Sequence, residues 1–345
     1  MSSTGAFGAS SQEKIETSAP YGAWRVSVAP MMDWTDTHCR AFHRVLAPGA
    51  RLYTEMVHAQ AVIHGDRQRL LGFDPSEHPV ALQLGGSDPA ALAQATRIGV
   101  EYGYDEVNLN CGCPSDRVQA GRFGACLMRE PMLVAECIAA MREASGKVPV
   151  TVKCRLGVDD QDEYETLHGF IDEVATTGCD TFVVHARKAW LKGLSPKENR
   201  EVPPLRYEHV HRLKQERPDL RILINGGIAN VEAAWEQLRH VDGVMLGRVA
   251  YQDPYVLHRL DAALSGRELR SRDALLLAYL PYVKARLAAG VALKHITRHV
   301  LGLFHGQPGG RVFRQVLSEG ASRLDADTRL IERALEAVRQ HREAA

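Results

Sequence analysis

Several features that would define a membrane, secreted or metal-binding protein are missing from this sequence. No run approaches the ~20 consecutive apolar residues that a membrane span requires. The seven cysteines are odd in number and include no C-x-x-C pair, which argues for reduced thiols and against a disulfide framework or a zinc or iron–sulfur site. The 15 histidines show no H-E-x-x-H or similar spacing, so no metal site is expected.

The first 20 residues also lack the apolar core of a signal peptide. They are rich in Ser, Ala and Gly, which predicts a disordered tail over 1–20. Together with the reduced thiols, this tail favours a cytoplasmic protein.

The net charge of the whole chain is zero, but the charged residues are unevenly distributed along it. Residues 263–345 hold 14 Lys/Arg and 8 Asp/Glu, whereas residues 1–262 hold 28 and 34. A basic segment attached to an acidic body suits a polyanionic substrate held by the basic segment. The alternative is an Arg-rich helical bundle whose charges are merely solvated.

Short apolar or alternating runs recur along the chain with helix-length spacers between them, as at 89–102 and 132–145. Strands that alternate with helices imply parallel pairing, and eight units over roughly 240 residues match the (β/α)8 TIM barrel. A doubly wound sheet is the second choice, but no G-x-G-x-x-G follows the first strand. The predicted catalytic barrel domain spans 21–262, with strands at 26–32, 51–57, 80–86, 106–112, 150–157, 181–187, 221–227 and 243–248.

Polar residues gather at the carboxyl ends of these strands, where the active sites of such barrels lie. In the fifth strand the apolar residues at 150, 152 and 154 share one face, which should meet the helices, so Lys153 points into the lumen. A salt bridge at the rim of the barrel would explain one such polar residue. Polar residues at six strand ends in register are hard to explain by stability alone. The polar residues are Gln83, Asn108, Asn110, Lys153, Arg155, His185, Arg187, Asn225 and Arg248.

The seventh and eighth predicted strands end in glycine. Gly226, Gly227 and Gly247 would let backbone N–H groups approach phosphate oxygens, and Arg248 adds positive charge. These loops are the usual phosphate site of the fold, which suggests a flavin mononucleotide or a sugar phosphate. Alternatively, the glycines only satisfy tight turns.

The turn after the fourth strand holds one thiol on a stiff backbone. Pro114 fixes its own φ and restricts Cys113. Because thiols are mostly protonated at neutral pH, Cys113 is a candidate general acid. The alternative is a buried structural cysteine.

Four helices are predicted beyond the barrel, at 272–289, 291–305, 309–319 and 326–341, forming a domain over 263–345. Pro281 should kink the first of these helices, and Gly320 should end the third. Asp325 or Asp327 should cap the fourth. Phe304 and Phe313 are expected in the core rather than stacked on bases. Two pairs, Lys294 with Arg298 and Arg311 with Arg314, each share a helix face and could contact phosphates or simply face solvent.

Six segments in this order resemble the tRNA-dihydrouridine synthase family, most closely its A subfamily. The resemblance covers about 22–320 and no catalytic position departs from it. The segments are APMMDWTD at 29–36, NLNCGCPS at 108–115, HARKAW at 185–190, LSPKENR at 194–200, NGG at 225–227 and LGLF at 301–304.

The resemblance implies an FMN enzyme that uses NADPH to reduce the C5–C6 double bond of uridines 20 and 20a in the tRNA D-loop. Cys113 would be the proton donor and Asn110 would touch the uridine. FMN would be held by Ala29, Pro30, Met31, Gln83, Lys153, His185, Asn225, Gly226, Gly227, Gly247 and Arg248. The tRNA would be bound by Arg187, Lys197, Glu198, Asn199, Arg200, Glu201, Arg311 and Arg314.

Three other functions remain compatible with the residues alone. A flavin dehydrogenase of the dihydroorotate type would act on a free pyrimidine, an aldolase would form a Schiff base on Lys153, and a non-catalytic barrel would only bind RNA. No separate nicotinamide motif is visible, so NADPH is expected to use the open face of the flavin. We expect a monomer.

Overall fold

The structure, a computed structural model, describes residues 21–115, 118–119 and 121–344. Its core is a closed barrel of eight parallel strands in sequential order, which confirms the predicted TIM barrel. The predicted tail over 1–20 lies outside the described residues. The strands are β1 Val26–Val28, β2 Arg51–His58, β3 Val80–Gly85, β4 Glu106–Cys111, β5 Val150–Cys154, β6 Thr181–His185, β7 Arg221–Asn225 and β8 Gly243–Leu246.

Most strands end earlier than predicted at their carboxyl ends. The clearest case is β1, which stops at Val28 although its apolar run continues to residue 32. Ala29 still donates its N–H to Leu246 (2.8 Å), but Pro30 has no N–H to continue the ladder. The residues beyond each strand therefore form the loops at the mouth of the barrel.

Helices cover the outside of the barrel, and most begin at a side chain that caps their first N–H groups. Asp36, Asp88, Asp162 and Asn230 are such caps. The helices are α1 Thr37–Leu46, α2 Ala59–His64, α3 Arg67–Leu71, α4 Pro89–Glu101, α5 Pro131–Ser145, α6 Glu163–Ala175, α7 Tyr207–Glu216, α8 Val231–Leu238, α9 Arg248–Gln252 and α10 Tyr255–Ser265, with 3-10 turns at Pro75–Glu77, Gly124–Arg129 and Glu198–Arg200.

The barrel has an outer and an inner apolar layer. Val150, Val152 and Cys154 of β5 belong to the outer layer, against the helices, as their alternation predicts. The lumen is filled by a smaller set of buried residues, which are Ala29, Tyr53, Ala81, Val183, Leu223 and Met245.

The chain beyond the barrel forms α11 Arg272–Ala288, α12 Leu293–Thr297, α13 Gly310–Gly320 and α14 Thr328–Glu343. The predicted second helix, 291–305, is too long, because only α12 is helical and turns follow it. Gly320 is the last residue of α13, and Ala321 rather than Gly320 takes the C-cap position. Asp327 caps α14 by accepting from the Arg329 N–H. Pro281 lies within α11.

The helical bundle has its own apolar core. Phe304 and Phe313 are fully buried in it with ring centroids 4.7 Å apart, so the core placement is confirmed. The same cluster takes in Ala41, Phe42 and Leu46 of α1. The bundle is thus packed onto the barrel, and a division of the chain at 262 remains a prediction. None of the helices within the described ranges is long and apolar enough to cross a bilayer.

Candidate active site

The Cys113 loop is held from both sides at the mouth of the barrel. Asn110 Oδ1, at the end of β4, accepts from the backbone N–H groups of Gly112 (3.1 Å) and Cys113 (2.9 Å). The Cys113 carbonyl accepts from Ala125 N (2.9 Å). Gly124 allows this approach, because it has φ +75° and a Cβ there would lie 2.6 Å from the Cys113 oxygen. Cys113 itself is half-buried.

Polar side chains of β3, β4 and β5 line the lumen below this loop. Gln83 pairs in register with Asn108, and Asn110 pairs with Lys153. Gln83 Oε1 accepts from Asn110 Nδ2 at 2.9 Å. The face of these strands that was predicted to line the lumen therefore does so in the structure.

Lys153 crosses the lumen toward β7. Its Nζ donates to Asn225 Oδ1 (3.1 Å), and Asn225 Nδ2 donates to the Met245 carbonyl (2.8 Å). Burial, followed by the charge of Arg155, lowers the pKa of Lys153 to about 8. The ammonium still has N–H donors that no described residue uses.

His185, at the end of β6, is a neutral ring in this surrounding. Burial, followed by the charges of Arg155 and Lys153, places its pKa well below the ordinary value. No described residue forms a hydrogen bond to the imidazole. Its Cδ2 would lie 2.7 Å from a Cβ at Gly226, so the ring packs directly on that glycine.

The glycines at the ends of β7 and β8 differ in the structural reason for having no side chain. Gly226 has φ +113° and Gly227 has φ +67°, and a Cβ at Gly227 would lie 2.4 Å from Leu205. Backbone conformation and packing explain both residues without a ligand. Gly247 instead has a negative φ and open space, since a Cβ there would have its nearest neighbour 3.9 Å away at Asn225 Nδ2.

Arg155 connects the two loops that flank the thiol. Its Nε donates to the Gly112 carbonyl (2.8 Å), and one terminal nitrogen donates to the carbonyls of Lys188 (3.1 Å) and Asn199 (3.0 Å). Burial is the main cause that lowers the pKa of Arg155 to about 10, and the charges of Arg200 and Arg187 act in the same direction. In the sequence Arg155 is only a polar residue at a strand end, and nothing near it in the chain indicates this linking role.

Asn199 is buried rather than available to RNA. Its Oδ1 accepts from Trp190 N (2.7 Å), and its Nδ2 donates to the carbonyls of Trp190 (2.9 Å) and Leu194 (3.1 Å). The predicted direct contact with tRNA is therefore not supported by its position, and the amide instead fixes the 190–199 loop. Lys197 and Arg200 are exposed on that loop. The Glu198 carboxylate accepts from Ser195 N (2.8 Å).

Two predicted ligand arginines already have partners. Arg248 forms an ion pair with Glu201 (2.6 Å). Arg187 donates to the carbonyls of Glu201 (3.3 Å) and Pro203, and its Nε is buried without a described partner. Arg311 and Arg314, on α13, are exposed and form no ion pair with a described residue.

Comparison with known proteins places this geometry in a family. The model for "Dihydrouridine synthase (Dus)" matches residues 27–339, which include both the barrel and the bundle. The chain belongs to the dihydrouridine synthase family. It is accordingly an enzyme, and an oxidoreductase. Membership of this family rules out the aldolase and the non-catalytic RNA-binding barrel as functions.

Curated relatives of the family are similar over nearly their whole length. A tRNA-dihydrouridine(20/20a) synthase of Xanthomonas campestris pv. campestris is 73% identical over 310 residues, which are 90% of this chain and 92% of that protein. Proteins of the same name from Xylella fastidiosa and Escherichia coli are 65% and 53% identical, covering 92% and 95% of this chain and 93% and 99% of their own lengths. The predicted A subfamily is confirmed.

Among solved structures, morphinone reductase has the same barrel fold. It superposes with a TM-score of 0.50 at 14% identity, covering 71% of this chain and 87% of that chain. At this identity the likeness concerns the fold alone.

Proposed function

We propose that this protein uses bound FMN and NADPH to reduce the C5–C6 double bond of uridine in tRNA, giving 5,6-dihydrouridine at positions 20 and 20a. The observation that carries the proposal is the half-buried Cys113 thiol, held by Asn110 at the mouth of a barrel whose other strand ends supply Lys153 and His185. The names of the curated relatives support the product and the two positions.

The residues at the mouth fit FMN. Open space beside Gly247 would admit a phosphate, and unused donors on Lys153 and a neutral His185 ring suit the carbonyl edge and ribityl hydroxyls. Ala29, Pro30 and Met31 would lie against the ring, with Gln83, Asn225, Gly226, Gly227 and Arg248 completing the site. When bound, FMN would supply the hydride that uracil C6 needs. The Lys153 ammonium would favour a negatively charged reduced ring.

Cys113 would complete the reduction by giving its proton to C5. Addition of hydride and proton across a double bond needs an acid on the other side of the uracil ring. Asn110 holds the Cys113 N–H (2.9 Å), which fixes the backbone that carries this acid. Asn110 keeps one amide N–H that no described residue accepts, and this group would donate to the uridine.

The uridine must leave its base stack to reach this depth, which costs least in a loop of the tRNA. The bundle would repay that cost through phosphate contacts, because its excess of basic residues includes the exposed Arg311 and Arg314. Arg187, Lys197, Glu198, Arg200 and Glu201 would face the tRNA from the barrel side. NADPH would reach the flavin from the same open mouth in alternation with tRNA. The protein would act as a monomer.

The test is Cys113→Ala with Cys126→Ala as control, because Cys126 is also a half-buried thiol, on the adjacent 3-10 turn. We expect Cys113→Ala to purify with yellow, bound flavin and to lose about 10²–10⁴-fold in dihydrouridine formation. Cys126→Ala should keep its activity. Dihydrouridine is measured by mass spectrometry of tRNA that lacks the modification. Full activity of Cys113→Ala would refute the acid role.

A further inference from the structure

A chain of hydrogen bonds runs along one side of the barrel lumen, on β3, β4 and β5, from the mouth to Glu106. Asn110 Nδ2 donates to Gln83 Oε1 (2.9 Å), and Gln83 Nε2 donates to Asn108 Oδ1 (2.8 Å). Asn108 Nδ2 donates to Thr151 Oγ1 (2.8 Å), whose hydroxyl donates to Glu106 Oε1 (2.5 Å). Every member is buried, and the most exposed, Asn110, is 7% accessible.

The inner end of this chain is a carboxylate surrounded by donors. Trp24 Nε1 donates to one Glu106 oxygen and the Tyr53 hydroxyl to the other, both at 2.7 Å. Arg51 forms an ion pair with Glu106 at 3.2 Å. Burial, followed by the charge of Glu106, raises the pKa of Tyr53 well above its ordinary value, so this hydroxyl keeps its proton and donates. Because a carboxylate has no proton to donate, Glu106 accepts the hydrogen bond from Thr151.

That constraint sets the direction of every bond up to the mouth. Because Thr151 gives its single proton to Glu106, its oxygen must accept from an amide N–H of Asn108. Asn108 then has its carbonyl oxygen toward Gln83 and must accept there. Gln83 in turn has its oxygen toward Asn110, which must donate.

The contacts at the outer end of the chain, at Asn110, independently require the same direction of hydrogen-bond donation. Asn110 Oδ1 faces two backbone donors, the N–H groups of Gly112 (3.1 Å) and Cys113 (2.9 Å). If the Asn110 amide were reversed, its NH₂ group would face these donors and both hydrogen bonds would be lost. Correct orientation of this one amide is therefore needed to hold the loop that carries the thiol.

We infer that Glu106 is a positioning residue, which acts through Thr151, Asn108 and Gln83 to fix the Asn110 amide and thereby the Cys113 loop. The step from loop position to turnover rests on the proposed function, whereas the step from Glu106 to the loop does not. None of the intermediate side chains needs to touch a substrate for this role.

Two substitutions of Thr151 separate its hydroxyl from its bulk. Thr151→Val keeps the volume and removes the hydroxyl, and Thr151→Ser keeps the hydroxyl. The readout is the rate constant for alkylation of Cys113 by iodoacetamide in the flavin-free protein, followed by peptide mass spectrometry with Cys126 as internal reference. We expect Thr151→Val to raise this rate about tenfold, because the loop is released. Thr151→Ser should stay within about twofold of the unsubstituted protein.

Thr297→Val is the matched control for loss of a buried hydroxyl. Thr297 is equally buried, but it lies in α12 and its hydroxyl donates to the Leu293 carbonyl (3.1 Å). This variant should leave Cys113 alkylation within about twofold of the original rate. An equal rise in this control would mean that general loosening, not the lumen chain, exposes the thiol, and would overturn the inference.

A double-mutant cycle tests whether the effect passes through Asn110. Asn110→Ala removes the terminal acceptor, so Thr151→Val should have no further effect on Cys113 alkylation in that background. Effects that multiply independently would overturn the inference. In the active enzyme, Thr151→Val should lower kcat and leave KM for tRNA unchanged. An altered alkylation rate in a protein that never forms dihydrouridine would support the positioning role and refute the proposed function.

Glu106→Gln provides a second route if Thr151→Val does not fold. Its neutral amide can donate as well as accept, so the direction of the chain is no longer imposed. The same rise in Cys113 alkylation is expected. Unchanged alkylation in a folded variant would overturn the inference. Failure of both variants to fold would assign the chain to stability alone and would also overturn it.

Discussion

The lumen of the barrel and the C-terminal bundle handle polar groups in opposite ways. The lumen buries amides, a hydroxyl and a carboxylate and joins them in a continuous hydrogen-bond chain. The bundle buries an apolar core around Phe304 and Phe313 and leaves arginines such as Arg311 and Arg314 on its surface. Buried polar groups have one orientation and suit chemistry on a small ring, whereas exposed charges are adaptable and suit a long polyanion.

The two regions meet at the loop after β1. Asp36 caps α1 and also accepts from His299 Nε2 (3.0 Å) and pairs with Arg298 (3.2 Å), both from the turn after α12. Within the barrel, Trp34 of the same loop stacks on Tyr251 of α9 with ring centroids 4.4 Å apart. The bundle therefore contacts the loop that also carries the candidate flavin residues.

The largest effect should come from Lys153→Met, which removes the buried charge on the barrel side. We expect FMN affinity to fall about 10²-fold, because the cation that would face the anionic ligand is lost. FMN binding is measured by fluorescence titration. Lys147→Met is the control, since Lys147 is exposed in the turn that precedes the same strand. Equal affinity in the two variants would contradict the assignment of Lys153 to the flavin.

The same variant has a stability consequence of known sign. Because the pKa of Lys153 is lowered to about 8, the folded state binds fewer protons than the unfolded state between there and the ordinary value of about 10.4. Stability of the flavin-free protein should rise with pH across that window. Lys153→Met should abolish this rise and increase Tm at pH 7, as measured by calorimetry. A lower Tm in the variant would contradict the expectation that burial of the Lys153 charge destabilises the folded protein.

An intermediate effect is expected on the bundle side from Arg311→Gln combined with Arg314→Gln. KM for tRNA should rise about tenfold and the salt dependence of binding should weaken by about 1.4 in its logarithmic slope, with kcat unchanged. Steady-state kinetics at several salt concentrations measure both quantities. The control pair is Arg323→Gln with Arg329→Gln, because these bundle arginines are already paired with Asp325 and Asp327. Equal losses in both pairs would show that only net charge matters.

The smallest effect should come from Asp36→Asn, which weakens the junction between the two regions. Burial raises the pKa of Asp36, but the hydrogen bond and charge of His299 outweigh it, so the pKa is lowered overall. Its contribution to stability is therefore present above the unfolded pKa and is lost as pH falls through the folded pKa. The variant should lose about 1 kcal/mol near neutral pH and almost nothing in acid, measured by urea denaturation. A pH-independent loss would contradict the role of the charge.

Much of the site followed from alternation along single strands. In β5 the apolar residues identify the outer face, so Lys153 could be assigned to the lumen without a structure. The Cys113 turn, the strand count and the core position of Phe304 were predictable for the same reason, since each depends on residues close in sequence. The family resemblance supplied the roles of individual residues, which periodicity alone does not carry.

Other features depend on partners far along the chain. Asn199 looks like a polar loop residue, and only the packed loop shows that its amide is used by Trp190 and Leu194. Glu106 reads as the first residue of an ordinary strand, yet it accepts from Trp24 in the turn before β1 and from Tyr53 on β2. Arg248 looks free for phosphate until Glu201 is found beside it.

The sequence by itself determined the alternation of strands and helices, the thiol on its rigid turn and the split of charge between the two regions, because periodicity, local stereochemistry and composition are properties of neighbouring residues. Only the tertiary structure decided which buried amides face one another and in which direction they donate. Closure of the barrel brings side chains from β2, β3, β4 and β5 into one small lumen, and in that space each donor must find an acceptor.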